Sequence, residues 1–159
     1  MKRLIGYMLT WTTYGSWLQG DNQGYVNDSK VLPASPALEL ANKAQLKSPQ
    51  FKLNTVGKNI VRQAITEEAK ILGQTIYAMS VFSNHIHLVV NYNELPIEKV
   101  VSHYKNAERL ALHEAGFGGK LWTRGFDKRF CFSETELMQK ISYVRRQDEE
   151  DNPRRKVGG

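Results

Sequence analysis

From Tyr7 to Tyr14 the residues alternate, with Tyr7, Leu9, Trp11 and Thr13 on one face and Met8, Thr10, Thr12 and Tyr14 on the other, which is the period of a strand. The period is then lost. Gly20, Gly24, Pro33, Pro36 and Pro49 interrupt residues 15–55, which read as a long excursion with one or two helical turns around Leu38 to Leu46. From Val56 to Leu72, Ile60, Val61, Ala64, Ile65, Ala69 and Leu72 fall at helical spacing, and Gly73 is a natural stop. Thr75 to Phe82 and His85 to Tyr92 read as two strands joined by a tight turn at Ser83 and Asn84. Pro96 opens a second helix, buried through Ile97, Val100, Val101, Tyr104 and Leu112, with Lys105, Asn106, Arg109 and His113 on its other face and glycines from Gly116 ending it. Short extended pieces follow over Leu121 to Phe132. Ser133 and Glu136 then form a capping box for a last helix with Leu137, Ile141 and Val144 as its apolar stripe.

These elements interleave without the regular alternation of a doubly wound fold, and the central hairpin demands antiparallel pairing. The expectation is an α+β fold, an antiparallel sheet flanked by helices. A length of 159 residues suits one domain, placed at 1–147, with 148–159 as a charged, flexible tail. Hydrophobic residues at 41% and charged residues at 24% argue against wholesale disorder, a collagen-like repeat and a membrane bundle. The single Cys131 excludes an internal disulfide and a cysteine zinc cage, and fits a reducing compartment. The apolar stretch at the N-terminus breaks at Thr10, too short for a secretory core or a span, so a cytoplasmic protein with no membrane contact is expected. Twenty-two Lys and Arg against sixteen Asp and Glu give +6, which suits a partner rich in phosphate.

The sharpest chemical feature is Asn84-His85-Ile86-His87-Leu88-Val89-Val90. Residues two apart on a strand share a face, so both imidazoles can meet one ion; the plain alternative is two surface histidines. A catalytic metal needs a further ligand and an open position, and no Asp or Glu lies near the motif. The last helix places Tyr143 and Gln147 one turn apart on one side, a hydroxyl and an amide oxygen on an element able to pack beside the histidine strand. Tyrosine is a possible nucleophile that needs help, because a phenol ionises only near about 10. Equally, Tyr143 reads as a packing residue at the edge of the core. Lys105 and Arg109 share a helix face, and Trp122, Arg124, Phe126, Arg129, Arg145 and Arg146 cluster near Tyr143 in sequence, as a groove that tracks phosphates and stacks bases requires; a solvated basic surface is the alternative.

NHIHLVV resembles the His-hydrophobic-His motif of the HUH endonucleases, and ISYVRRQ, with Tyr143 and Gln147, is similar to the nucleophile helix of their single-tyrosine branch. That branch includes the small insertion-sequence transposases and the REP-associated tyrosine transposases. LTWTTYGSWLQGD, AMSVFSNHIHLVV and LWTRGFDKRFCFSETELMQKISYVRR add to the resemblance, which covers most of the chain outside Gly24 to Thr55. It implies that His85, His87 and Gln147 hold a divalent ion, Mg²⁺ or Mn²⁺, and that Tyr143 attacks single-stranded DNA beside a hairpin. The product is a 5′-phosphotyrosine and a free 3′-hydroxyl, and the activity is that of a metal-dependent endonuclease and strand transferase in DNA transposition. The fold implied is a ferredoxin-like or RNA-recognition-like layer, and a homodimer is one state the family adopts. Many relatives carry Asn-Pro where this chain has Gln147-Asp148, and the excursion after Asp21 is a second departure.

Two other functions fit parts of the sequence. A non-catalytic single-stranded nucleic-acid-binding module explains the charge and the aromatics without covalent chemistry. A zinc hydrolase would draw a further ligand from His103 or His113, though the helical His-Glu-x-x-His pattern of such proteins is absent.

Overall fold

The computed structural model describes residues 3–16, 25–27, 30–32 and 50–151. The elements are β1 (Gly6–Thr12), β2 (Tyr25–Asn27), β3 (Lys30–Leu32), α1 (Thr55–Leu72), β4 (Ile76–Val81), β5 (His85–Asn91), α2 (Ile97–Glu114), β6 (Asp127–Cys131) and α3 (Glu134–Asp151). Four strands pair antiparallel in the order β4-β5-β1-β6, while β2 and β3 pair only with each other. A β-α-β-β-α-β sequence with this strand order is the ferredoxin-like arrangement, so the expected α+β layer is present. Of the excursion, Gly15, Ser16, β2, β3 and the stretch bordering α1 are described. The helical turns expected around Leu38 to Leu46 lie outside the described residues.

Local chemistry accounts for the element ends. Asn54 caps α1, its side chain accepting from Gly57 N at 2.8 Å, and Gly73 ends the helix in the left-handed region at φ 71°. Phe82 N donates to His85 O at 2.8 Å, closing the two-residue turn over Ser83 and Asn84. Ser133 Oγ accepts from Glu136 N at 3.1 Å, and the Glu136 carboxylate accepts from Phe132 N, so the start of α3 is capped much as the sequence implies. The helix continues past Gln147 to Asp151, because Asp148, assigned to the tail by the sequence, pairs with Arg62 at 2.6 Å.

The sheet is covered on both faces by different helices. Alternation sends Tyr7, Leu9, Trp11, Ile86, Leu88 and Val90 under α1 and α2, where they meet Val61, Ile65, Val100, Tyr104 and Leu112 in the main core. Met8, Ala78 and Val89 face the other way and are covered by Leu137, Ile141 and Val144 of α3. The approach is close at Gly6, where a Cβ would stand 2.7 Å from Val90 O and 3.2 Å from Leu137 Cδ1. None of the described helices is long and apolar enough to cross a membrane.

The main core holds one acid. Glu108 is fully buried on the apolar stripe of α2 and accepts from Trp11 Nε1 at 3.1 Å. Burial raises its carboxyl well above the ordinary value, against the opposing pull of the Trp11 hydrogen bond and the Lys105 charge. The folded protein therefore keeps a proton that the unfolded chain releases near the usual Glu value, so Glu108 makes stability decline as pH rises from there toward the raised value. In Glu108→Gln that contribution vanishes. Thermal unfolding between about pH 5 and about pH 7 is expected to show the variant gaining on wild type as pH rises, a difference that cancels the other titrating groups. A constant difference would mean that Glu108 is charged in the fold.

Candidate active site

β5 directs His85, His87 and Val89 to the α3 side of the sheet. Antiparallel partners share a face, so His87 stands in a polar row across the strands: Ser80 on β4, His87 on β5, Thr10 on β1 and Asp127 on β6. Thr10 Oγ1 lies 2.8 Å from His87 Nδ1, and Asn84 Oδ1 lies 2.7 Å from His85 Nδ1. The two imidazoles are 4.9 Å apart between ring centroids, and Phe82 stacks on His85 at 4.4 Å. Burial, and then the neighbouring His85, push His87 down to about 3, so its ring is neutral at physiological pH.

The same face receives the tyrosine. With Ile141 and Val144 seated on the sheet, the neighbouring Tyr143 lies with its ring centroid 5.8 Å from that of His87 and the planes at 73°. It remains 39% exposed, so a substrate has access to it. Two contacts hold this part of α3 in place: Arg62 reaches from α1 to Asp148, and Arg145 donates to Tyr77 O on β4 at 3.5 Å. Gln147 is half-buried, one turn beyond Tyr143. The tyrosine beside the histidines belongs to the same chain.

The donor set suits a divalent ion. With each Nδ1 engaged by an oxygen, Nε2 is the atom that either imidazole would offer to a metal, and a glutamine oxygen on the neighbouring helix would be a suitable third donor. Beside His87, the buried Ser80 Oγ has no hydrogen-bond partner among the described residues, as at a place where a further polar group belongs. Among the described residues no three His, Cys, Asp or Glu side chains converge. The hydrolase alternative loses its ligands here: His103 faces Glu68 at 3.4 Å, and His113 lies against Gly119 O, both on α2 across the sheet from His87.

The basic and aromatic candidates divide. Lys105 is turned inward, its ammonium donating to Thr123 O at 3.1 Å and Gly125 O at 2.7 Å, and burial lowers it to about 8 against the raising effect of Glu108. That role differs from the phosphate contact expected of it. Trp122 is half-buried and donates through Nε1 to Lys105 O, so it anchors the same segment. Thr123 in turn bonds to β1, with its N donating to Thr12 O at 2.9 Å, at the end of the sheet where Thr12 faces His85. Arg124, in the segment these contacts fix, is exposed at the histidine end. Arg129 and Arg109 are exposed and held by Asp127 and Asn106 respectively; Arg145 and Arg146 are exposed on α3. Sequence reasoning assigned no role to Thr10, Ser80 or Asn84 beside the histidines. Asn84 carried a signal as the first residue of the histidine motif, and Thr10 as a polar residue on the face of β1 away from Leu9 and Trp11.

Fold and site together define the class: a ferredoxin-like layer whose second face sets a tyrosine beside paired imidazoles. Residues 46–147, more than half of the chain, match the family described as Transposase IS200 like, and the chain belongs to that family. It is a transposase of the IS200-like family, within the single-tyrosine branch that NHIHLVV and ISYVRRQ resemble. Among solved structures, a REP-associated tyrosine transposase bound to a REP hairpin shares the fold with a TM-score of 0.56 and 13% identity, over 96% of this chain and 72% of that one. A Deinococcus radiodurans R1 structure described as a transposase aligns over 92% of this chain and 93% of that one, at 19% identity and a TM-score of 0.45. No curated protein matches the sequence.

Proposed function

We propose that this transposase cleaves and rejoins single-stranded DNA beside a hairpin, with Tyr143 as the nucleophile and His85, His87 and Gln147 holding Mg²⁺ or Mn²⁺. The observation that carries this reading is the Tyr143 ring against His87, 5.8 Å between centroids, in the polar row beside the apolar contact of α3 with the sheet. Tyr143 Oη attacks phosphorus and gives up its proton; the bond to the deoxyribose 3′-oxygen breaks, and that oxygen takes up a proton and leaves as a 3′-hydroxyl. The phosphate stays on the tyrosine as the 5′ end of the downstream strand. A divalent ion held by His85, His87 and Gln147 would offset the negative charge of the scissile phosphate. Thr10, Asn84 and Phe82 hold the rings of His85 and His87 in place, so little reorganisation accompanies binding.

Arg124, Arg129, Arg145 and Arg146 are exposed at the histidine end or on the face bearing Tyr143, and they serve as the contacts that track the DNA backbone. The hairpin in the REP-associated structure supports a structured DNA substrate for this chain as well. The test is to incubate the protein with Mn²⁺ and labelled single-stranded DNA carrying hairpins, then to seek an adduct that survives denaturation and map it by peptide sequencing. Attachment at Tyr143 is expected. DNA binding without any adduct would make the chain a binding module, and an adduct on another tyrosine would move the site.

A further inference from the structure

Between Leu121 and Asp127 every residue except Arg124 is buried or half-buried, so the chain presents this one side chain and is tied down around it. Lys105 of α2 ties it on both sides. Its ammonium donates to Thr123 O at 3.1 Å and to Gly125 O at 2.7 Å, the two carbonyls that flank Arg124. Gly125 bends the chain there, with φ 89° in the left-handed region that a side chain would disfavour. Trp122 Nε1 donates back to Lys105 O at 3.2 Å. The segment is also fastened to the end of β1: Thr123 N donates to Thr12 O at 2.9 Å, and Thr123 Oγ1 donates to Thr13 O at 2.7 Å. Thr12 is the register partner of His85, so these bonds place the backbone before Arg124 at the histidine end of the sheet.

We infer that Lys105 is a positioning residue for DNA binding: it does not touch the strand, and by holding the carbonyls on either side of Arg124 it fixes that arginine at the histidine end. The inference rests on the proposed role of Arg124 as a contact to the DNA backbone. Its structural half stands apart from that role, because Lys105 reaches the segment from α2, which packs on the face of the sheet opposite α3 and Tyr143. Two of the three ammonium hydrogens are already spent on protein carbonyls, which leaves little with which to hold a phosphate.

Lys105→Met keeps the aliphatic stem and removes the donors. In amide hydrogen exchange of the DNA-free protein, Thr123 is expected to lose protection by about 10-fold while the amides of α2 and of central β1 keep theirs. In titrations of hairpin-bearing single strands against salt, Arg124→Ala should lower the slope of log K by about 0.7, the share of one phosphate contact, and Lys105→Met by the same. The double variant should again lose about 0.7, because Lys105 acts through Arg124 alone. Thr123→Val loosens the same segment without altering α2, and is likewise expected to weaken binding only while Arg124 is present. A double variant that loses about 1.4 makes Lys105 a phosphate contact in its own right and overturns the inference. So does a Lys105→Met protein with wild-type exchange and binding, or one in which α2 and β1 lose protection together with the segment. An unchanged slope in Arg124→Ala alone overturns instead the reading of Arg124 as a DNA contact, and the Thr123 exchange then still decides whether Lys105 holds the segment.

Discussion

Tyr143→Phe is expected to abolish the covalent protein–DNA adduct and to reduce strand cleavage by at least about 10³-fold, since losing the nucleophile of a well-studied hydrolase costs up to about 10⁶. The substitution removes one oxygen and nothing else. The ring packs edge-on against His87 while the residue remains substantially exposed, so the phenyl group keeps the packing and the lost hydroxyl leaves no buried cavity. The thermal midpoint should therefore stay close to that of wild type, and binding to hairpin-bearing single strands should persist through the arginines. Gel detection of a labelled adduct and quantitation of the 3′-hydroxyl product check the two halves of the expectation. Cleavage by Tyr143→Phe at the wild-type rate would make water the nucleophile and end the tyrosine assignment.

Much of this arrangement was legible in the sequence, because two periodicities carry it. The two-residue period of β1 and β5 declared which residues go under α1 and α2, and it placed His85 and His87 on the opposite face. The stripe of Leu137, Ile141 and Val144 likewise fixed which side of α3 meets the sheet, and Tyr143 beside Val144 followed. Register is a different kind of information. That Thr10 and Ser80 flank His87 depends on how three strands align, and alternation within each strand is satisfied by any shift of two residues.

Buried charge was not legible in the sequence: Glu108 follows Tyr104 by four residues and shares its inward face, and Lys105, read on the outer face of α2, bends to the carbonyls of Thr123 and Gly125. Long side chains and neutralised acids escape a rule based on residue type. The last helix likewise runs on past Gln147 into the acidic run at Asp148, whose first member has a partner 86 residues away on α1. The effect on the site is direct. Arg62–Asp148 ties down the turn of α3 that carries Gln147, and a frayed turn there would leave the glutamine oxygen with no fixed position.

On the proposed metal site, His87→Ala is expected to cut metal-supported cleavage by more than about 10²-fold, exceeding the usual effect of losing a partner of a metal ligand, because it would remove a ligand itself. Affinity for DNA should change little, since the contacts proposed to supply it are exposed arginines rather than this buried ring. Fold is the competing explanation and has a definite size. The substitution opens a cavity between β5 and α3 and leaves the Thr10 hydroxyl unpaired, a cost of about 1–3 kcal/mol that denaturant unfolding will register. Titration with Mn²⁺ separates the two effects: a weakened metal site regains part of its cleavage as Mn²⁺ rises, whereas a protein that fails by unfolding does not. In wild type, a chelator should stop cleavage and leave hairpin binding in place. Cleavage undiminished by the chelator would remove the metal from the mechanism and leave the two histidines to act on the phosphate through their own hydrogen bonds.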